Sequence, residues 1–211
     1  MIGALGIAEI ASSRYEADDL IGTLASAAAR KGQPVVIVSG DKDLTQLLSE
    51  NDVWWDYARQ RQLDAQNVLE SFGVAPAQIA DFLALSGDAT DNIPGVPGIG
   101  PVTAARLLAH FGSIEKVLQG ADELASLKGL RGAKRIGDLI REYAETARLS
   151  RKLTEICTTA PLPEGLDTAV SRPDLEGYDR LSEEMGMKPW RRTMFLDYAH
   201  AVNLTSPPPF S

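Results

Sequence analysis

Seven carboxylates in three short words are the residues of this chain most able to do chemistry: Glu16, Asp18 and Asp19 in YEADDL, Asp41 and Asp43 in SGDKDL, and Asp88 and Asp91 in GDATDN. Each word has a local use. Asp18 and Asp19 suit the first turn of a helix, Asp41 or Asp43 can cap a helix opening near Leu44, and Asp88 and Asp91 fit a turn before Pro94. Gathered in one cleft they would repel, by roughly 3 kcal/mol for two unit charges about 5 Å apart at an effective dielectric near 20. Such a cleft needs shifted pKa values or cations. A purely oxygen donor set selects a hard divalent ion. The chain has two histidines, His110 and His200, far apart, and a single cysteine, Cys157, so a zinc site is not expected.

The acidic word GDATDN runs directly into the turn PGVPGIG. Gly95, Gly98 and Gly100 leave no side chain between main chain and ligand, and Pro101 stands where a first helical residue tolerates proline. Such a turn can aim unpaired N–H groups at a phosphate with a helix dipole behind them, although an ordinary tight turn has the same composition. The basic run Lys128–Arg135 (KGLRGAKR) reads either as a second phosphate patch or as a helix start with solvated charges. Carboxylate-held Mg²⁺ or Mn²⁺ beside a phosphate-gripping turn implies metal-assisted phosphodiester hydrolysis.

The net charge of −8 divides unevenly: residues 1–91 carry 14 acids and 6 bases, residues 92–160 carry 7 and 10, and residues 161–211 carry 8 and 5. Negative charge collects where cations would offset it, and positive charge where phosphates would lie. No apolar run reaches membrane-spanning length, and a lone cysteine excludes a disulfide framework and suits a reducing cytoplasm. Cys157 reads as a small buried residue.

These residues need elements to hold them. The pattern predicts a strand over 6–11, a helix over 17–31, a buried parallel strand over 35–39 delivering Asp41 and Asp43, a helix over 43–48 and a strand pair over 53–57 and 60–63. Helices are expected over 65–72, 76–85, 101–111, 113–119 and 122–126, then a long one over 133–154. A Pro/Gly-rich loop leads to helices over 178–185 and 190–202 and a disordered tail over 206–211. Trp54, Trp55 and Tyr57 read as strand residues packing on helices rather than as base-stacking platforms.

The words EADD, SGDKDL, GDATDNIPGVPGIG, LRGAKR and LSRKL, in this order over roughly residues 4–163, resemble the bacterial 5'-3' exonucleases and flap endonucleases, including the nuclease domain of DNA polymerase I. The resemblance implies an α/β fold with a PIN-like parallel sheet and helices, followed by an α-helical helix-hairpin-helix region. It implies a metal-binding core over 1–91, a DNA-gripping region over 92–160 and a helical extension with tail over 161–211. Glu16, Asp18 and Asp19 would serve a first metal site, and Asp41, Asp43, Asp88 and Asp91 a second. The turn Gly95–Gly100 would grip duplex DNA, with K⁺ as a monovalent cation there. Gly95, Gly98, Gly100, Thr103, Lys134 and Arg135 are the candidates for the duplex backbone, with Lys42 meeting either a phosphate or an acidic neighbour.

Family members begin with a strand carrying an aspartate, then a second aspartate and a helical arch, whereas this chain begins just before EADD. A fragment or truncated reading frame is therefore expected, the alternative being a naturally short form, with a weakened first metal site and reduced cutting. The expected function is structure-selective cleavage of DNA near junctions of duplex and 5' single strand. The alternatives are a non-catalytic duplex or junction DNA-binding module and a metal-dependent PIN-like nuclease acting on RNA.

Overall fold

The computed structural model describes residues 2–126, 130, 132–194 and 197. The EADD word opens a helix because its own acids satisfy the helix start. Glu16 is the N-cap of α1 (Ala17–Arg30), and Asp19 Oδ2 accepts the Glu16 amide at 3.2 Å as half of a capping box. The inward face of α1 carries Leu20, Thr23 and Ala25. It leads to β1 (Val36–Val38), a 3-10 turn at Lys42–Leu47, and the hairpin β2 (Val53–Asp56) and β3 (Arg61–Leu63). The sheet order is β1-β2-β3. β1 pairs β2 in parallel and β2 pairs β3 antiparallel, so only one of the two ladders is parallel.

The rest of this unit is helical: α2 (Ala65–Phe72), a 3-10 turn at Pro76–Gln78, α3 (Ile79–Ser86), α4 (Pro101–Phe111), α5 (Ile114–Gln119), a 3-10 turn at Glu123–Ser126, α6 (Ala133–Glu142) and α7 (Ala144–Thr154). α3 is the hub, packed on α4 and α7. All its residues from Ile79 to Leu85 are buried, the apolar ones in the core and Asp81 against Arg151. The core joins Leu44, Trp54, Val68, Leu85, Leu107, Val117 and Ile140 into one cluster. No single helix among the described residues is long and apolar enough to cross a membrane.

The chain forms two compact units, Tyr15–Ala160 and a second made of Met1–Arg14 with Pro161–Ser211. In the second, the amide of Ser171 donates to Gly6 O and that of Asp174 to Ala4 O, each at 2.8 Å, and Leu5 packs on Tyr178 of α8 (Leu175–Glu184).

Several expectations change. Residues 6–11 form no strand: Gly3–Leu5 is a 3-10 turn, Gly6 has φ +76°, and the Gly6 carbonyl is taken by Ser171 rather than by a ladder. β1 is not buried on both faces. It is a sheet edge in which Ile37 is buried while Val36 and Val38 are 53% and 58% exposed. The helix expected over 43–48 is a 3-10 turn, and the long helix over 133–154 breaks at Tyr143 (φ −103°, ψ 17°), letting α6 bury Ile136 and Ile140 and α7 bury Ala147 and Ser150. Helix α8 starts earlier than expected, at Leu175, with Asp174 accepting the Gly177 amide as its cap. Cys157 is half-buried rather than buried. Residues 189–194 and Asp197 are helical, as expected for the last helix; the rest of its course and the tail lie outside the described residues, as do Lys128 and Arg131.

Candidate metal centre and nucleic-acid interface

Three local structures deliver the carboxylates. The first turn of α1 presents Glu16, Asp18 and Asp19. The second arises where β1 ends: Asp41 caps the 3-10 turn by accepting the Asp43 amide at 2.9 Å, while Trp54 Nε1 donates to the Asp41 carbonyl at 2.7 Å. That bond fixes the turn to β2. The third is a tight loop closed by Asp88 and Ile93, whose amides and carbonyls exchange bonds of 2.9 and 2.8 Å, with Asn92 at φ +56°. A Cβ on Gly95 would lie 2.3 Å from the Gly87 nitrogen, so this loop is pinched shut by two glycine backbones in contact.

The clusters converge. Glu16, Asp18, Asp19, Asp41, Asp43 and Asp91 line one cleft of about 480 Å³, with Leu153, Thr154, Glu155 and Ile156 from the end of α7. Carboxylate oxygens of Asp43, Asp88 and Asp91 lie within 4.8 Å of one another. Burial raises the Asp18 carboxyl pKa, and the charges of Asp41, Glu16, Asp19 and Asp91 raise it further, so the first word feels the other two. Burial, opposed by Lys42 and assisted by Asp41, Asp88 and Asp91, lifts Asp43 to about 6. Burial would also raise Asp88, but hydrogen bonds from Lys42 and the Thr90 amide outweigh it and hold the carboxyl below its usual range.

The seven are not equivalent. Asp19 has both oxygens engaged by amides, Oδ2 by Glu16 and Oδ1 by Cys157 at 2.8 Å. Asp88 gives Oδ1 to the Thr90 amide at 2.8 Å and Oδ2 to the Lys42 ammonium. Oδ1 of Asp43 is buried without a hydrogen-bond partner among the described residues. An orphaned buried carboxylate oxygen beside two further carboxylates suits a hard divalent cation, which takes oxygen ligands and offsets their repulsion.

The glycine turn divides as sharply. Gly95 is buried against Gly87, whereas Gly98 (φ +80°) and Gly100 are exposed. Gly100 is the N-cap of α4 in extended conformation with no side-chain cap; its carbonyl accepts the Thr103 and Ala104 amides at 3.0 and 2.9 Å, and Pro101 has no N–H, which leaves Val102 as the remaining amide of the first turn. Thr103 is half-buried in that turn. Leu139 of α6 lies against Gly98, and the exposed Lys134 and Arg135 stand in the first turn of α6. The aromatic residues differ from one another: Trp54 is core, while Tyr57 is 62% exposed and meets Trp55 edge to face at 5.0 Å.

Sequence reasoning missed the parts that hold the site together. Thr23 Oγ1 donates to the Asp19 carbonyl at 2.8 Å and accepts the Ala160 amide at 3.0 Å. Arg151 pairs with the buried Asp81, and Gln46 accepts the Ile156 amide at 3.1 Å. None carries a sequence signal of its own, since each works through a partner distant in the chain.

A PIN-like α/β core with a carboxylate cleft, continued by helices that open on a glycine turn, defines a class of metal-dependent nuclease folds. Residues 1–73 match the family described as 5'-3' exonuclease, N-terminal resolvase-like domain, and residues 74–176 the 5'-3' exonuclease, C-terminal SAM fold. The chain belongs to the 5'-3' exonuclease family. It is 36% identical over 201 residues to DNA polymerase I of Mycobacterium leprae, covering 92% of this chain and 21% of that protein. It is 41% identical over 186 residues to DNA polymerase I of Bacillus caldotenax, covering 85% and 20%. The chain thus spans about a fifth of the length of these relatives. Among solved structures, T5 5'-exonuclease with bound divalent metal ions (zinc) aligns with a TM-score of 0.58 at 23% identity, over 68% of this chain and 51% of that one. The catalytic core of Rad2 in complex with DNA substrate aligns with a TM-score of 0.55 at 16% identity, over 92% and 65%. At these identities the likeness is one of fold.

Proposed function

We propose that this chain is the metal-binding and duplex-gripping part of a structure-selective 5' nuclease that hydrolyses DNA phosphodiesters near junctions of duplex and 5' single strand. The observation that carries the reading is the meeting of Asp43, Asp88 and Asp91 within 4.8 Å, the last two on a loop that continues into the glycine turn. Asp43, Asp88 and Asp91, with Asp41 beside them, would hold one Mg²⁺ or Mn²⁺, and Glu16, Asp18 and Asp19 the other. Such ions supply Lewis acidity toward the phosphate and the attacking water. Gly98 and Gly100 let a phosphate approach the turn and the start of α4, Gly95 keeps the turn closed, Thr103 adds a hydroxyl, and Lys134 and Arg135 add positive charge; the turn would also take a K⁺ ion. Contacts of this kind read shape rather than base sequence. Residues 1–91 carry the metal chemistry in this reading, residues 92–160 the grip on DNA, and residues 161–211 an extension.

The test is cleavage of an end-labelled 5' flap and of a matched RNA strand, with Mn²⁺ or with chelator, alongside duplex binding. Metal-dependent flap cleavage that Asp43→Asn with Asp88→Asn abolishes, duplex binding being kept, is expected. Duplex binding without cleavage under any metal would make the chain a non-catalytic binding module, and preferential RNA cleavage would reassign the substrate.

A further inference from the structure

Two of the three clustered carboxylates, Asp43 and Asp88, already face a cation of the protein's own. The Lys42 ammonium is bound to Asp88 Oδ2 and lies 3.6 Å from Asp43 Oδ1. Asp88 Oδ1 already accepts the Thr90 amide, so Oδ2 is the oxygen with no amide on it, and there the lysine sits. The Asp43 oxygen facing the ammonium is the buried one with no hydrogen-bond partner among the described residues, and 3.6 Å is too long to count as a hydrogen bond. We infer that Lys42 is a built-in counter-ion of the Asp43–Asp88–Asp91 cluster that competes with a divalent cation for the same carboxylate oxygens, so that the cluster loads by displacing the lysine. The inference rests on the metal-binding reading above.

The geometry suits an exchange. The Lys42 backbone is pinned, since Asp41 caps its turn and Thr45 Oγ1 donates to the Lys42 carbonyl at 2.6 Å, but the side chain is 41% exposed and can leave by rotation alone. An ammonium and a divalent ion sharing two carboxylates would repel at contact distance, which favours replacement over coexistence. Lys42 also lines two neighbouring clefts, one with Pro101 and Val102 at the start of α4 and one with Trp54 and Asp56 of β2, so a displaced ammonium has open space to enter.

The experiment is calorimetric titration of Mn²⁺ into the wild type, Lys42→Met and Lys42→Gln at neutral pH and constant ionic strength, with melting curves in chelator and in saturating Mn²⁺. Both variants should bind Mn²⁺ about tenfold more tightly, melt lower than the wild type in chelator, and recover in Mn²⁺. Lys42→Gln keeps an N–H donor for Asp88 and serves if the methionine variant does not fold. Wild-type Mn²⁺ binding with equal or weaker binding by the variants overturns the counter-ion role and leaves the metal-binding reading intact. Failure of all three proteins to bind Mn²⁺ overturns both.

Discussion

The amide of Cys157 donates to Oδ1 of Asp19 at 2.8 Å, joining the first turn of α1 to the segment that follows α7 across 138 residues of chain. The other Asp19 oxygen accepts the Glu16 amide, so this carboxylate closes the cleft between two distant elements while capping its own helix. A Cβ on Gly22 would meet Ile156 at 2.7 Å, which shows how closely the two elements approach. Asp19→Ala should lower stability by about 1–2 kcal/mol through the lost cap and tie, and Thr23→Val by on the order of 1 kcal/mol. Urea unfolding checks both; unchanged midpoints would remove the structural role.

Gly95, Gly98 and Gly100 should respond differently to substitution. Gly95→Ala drives a methyl into the Gly87 backbone and should unfold the turn. Gly98→Val meets a left-handed backbone at φ +80° and should cost about 1–2 kcal/mol as well as duplex affinity. Gly100 has φ −91° and open space around its Cβ position. Gly100→Val should therefore cost only the favoured N-cap residue, on the order of 0.5–1 kcal/mol, and lose duplex affinity about tenfold. Fluorescence anisotropy with a labelled duplex, beside a melting curve, separates the three; native affinity in folded Gly100→Val would exclude phosphate approach there.

Asp43 sets a pH dependence of stability in chelator. Its folded pKa of about 6 lies above the ordinary 3.8, so between these values the folded state binds more protons than the unfolded one, and stability falls as pH rises through that window. The effect is at most about 3 kcal/mol. Asp18, also raised, acts in the same direction. The depressed Asp88 contributes stability that is lost only as pH falls through its lowered value, outside that window. Melting temperature should decline from pH 4 toward pH 6 in the wild type, and Asp43→Asn should flatten the decline. Saturating Mn²⁺ should reverse it near neutrality, since protons no longer compete for the carboxylate. Identical slopes for wild type and variant would exclude Asp43 as the source.

Arg151 is bonded to Asp81, which is 7% exposed and also accepts the Ile114 amide at 3.0 Å, so one ion pair braces α3, α5 and α7. Arg151→Ala leaves a buried charge without its partner and should cost about 3–5 kcal/mol, read as a lower midpoint in denaturant. A loss under about 1 kcal/mol would mean that Asp81 is served by the amide alone.

Local chemistry was legible in the order of the residues. The helices over 17–30 and 101–111 announce themselves through Asp19 and Pro101 at their starts, because caps and first turns involve neighbours in the chain. The oxygen-only donor set likewise pointed to hard cations without any coordinates. Tertiary structure decided which carboxylates share an oxygen cluster, why Gly95 packs while Gly100 is open, and where Lys42 places its charge. It also exposed Val36 and Val38 at a sheet edge and broke the helix at Tyr143, because periodicity reports which residues are apolar but not how many of their faces will be covered. Asp19 and Cys157 meet for the same reason: a hydrogen bond across 138 residues depends on how α1 and the end of α7 pack, and no local pattern encodes that distance.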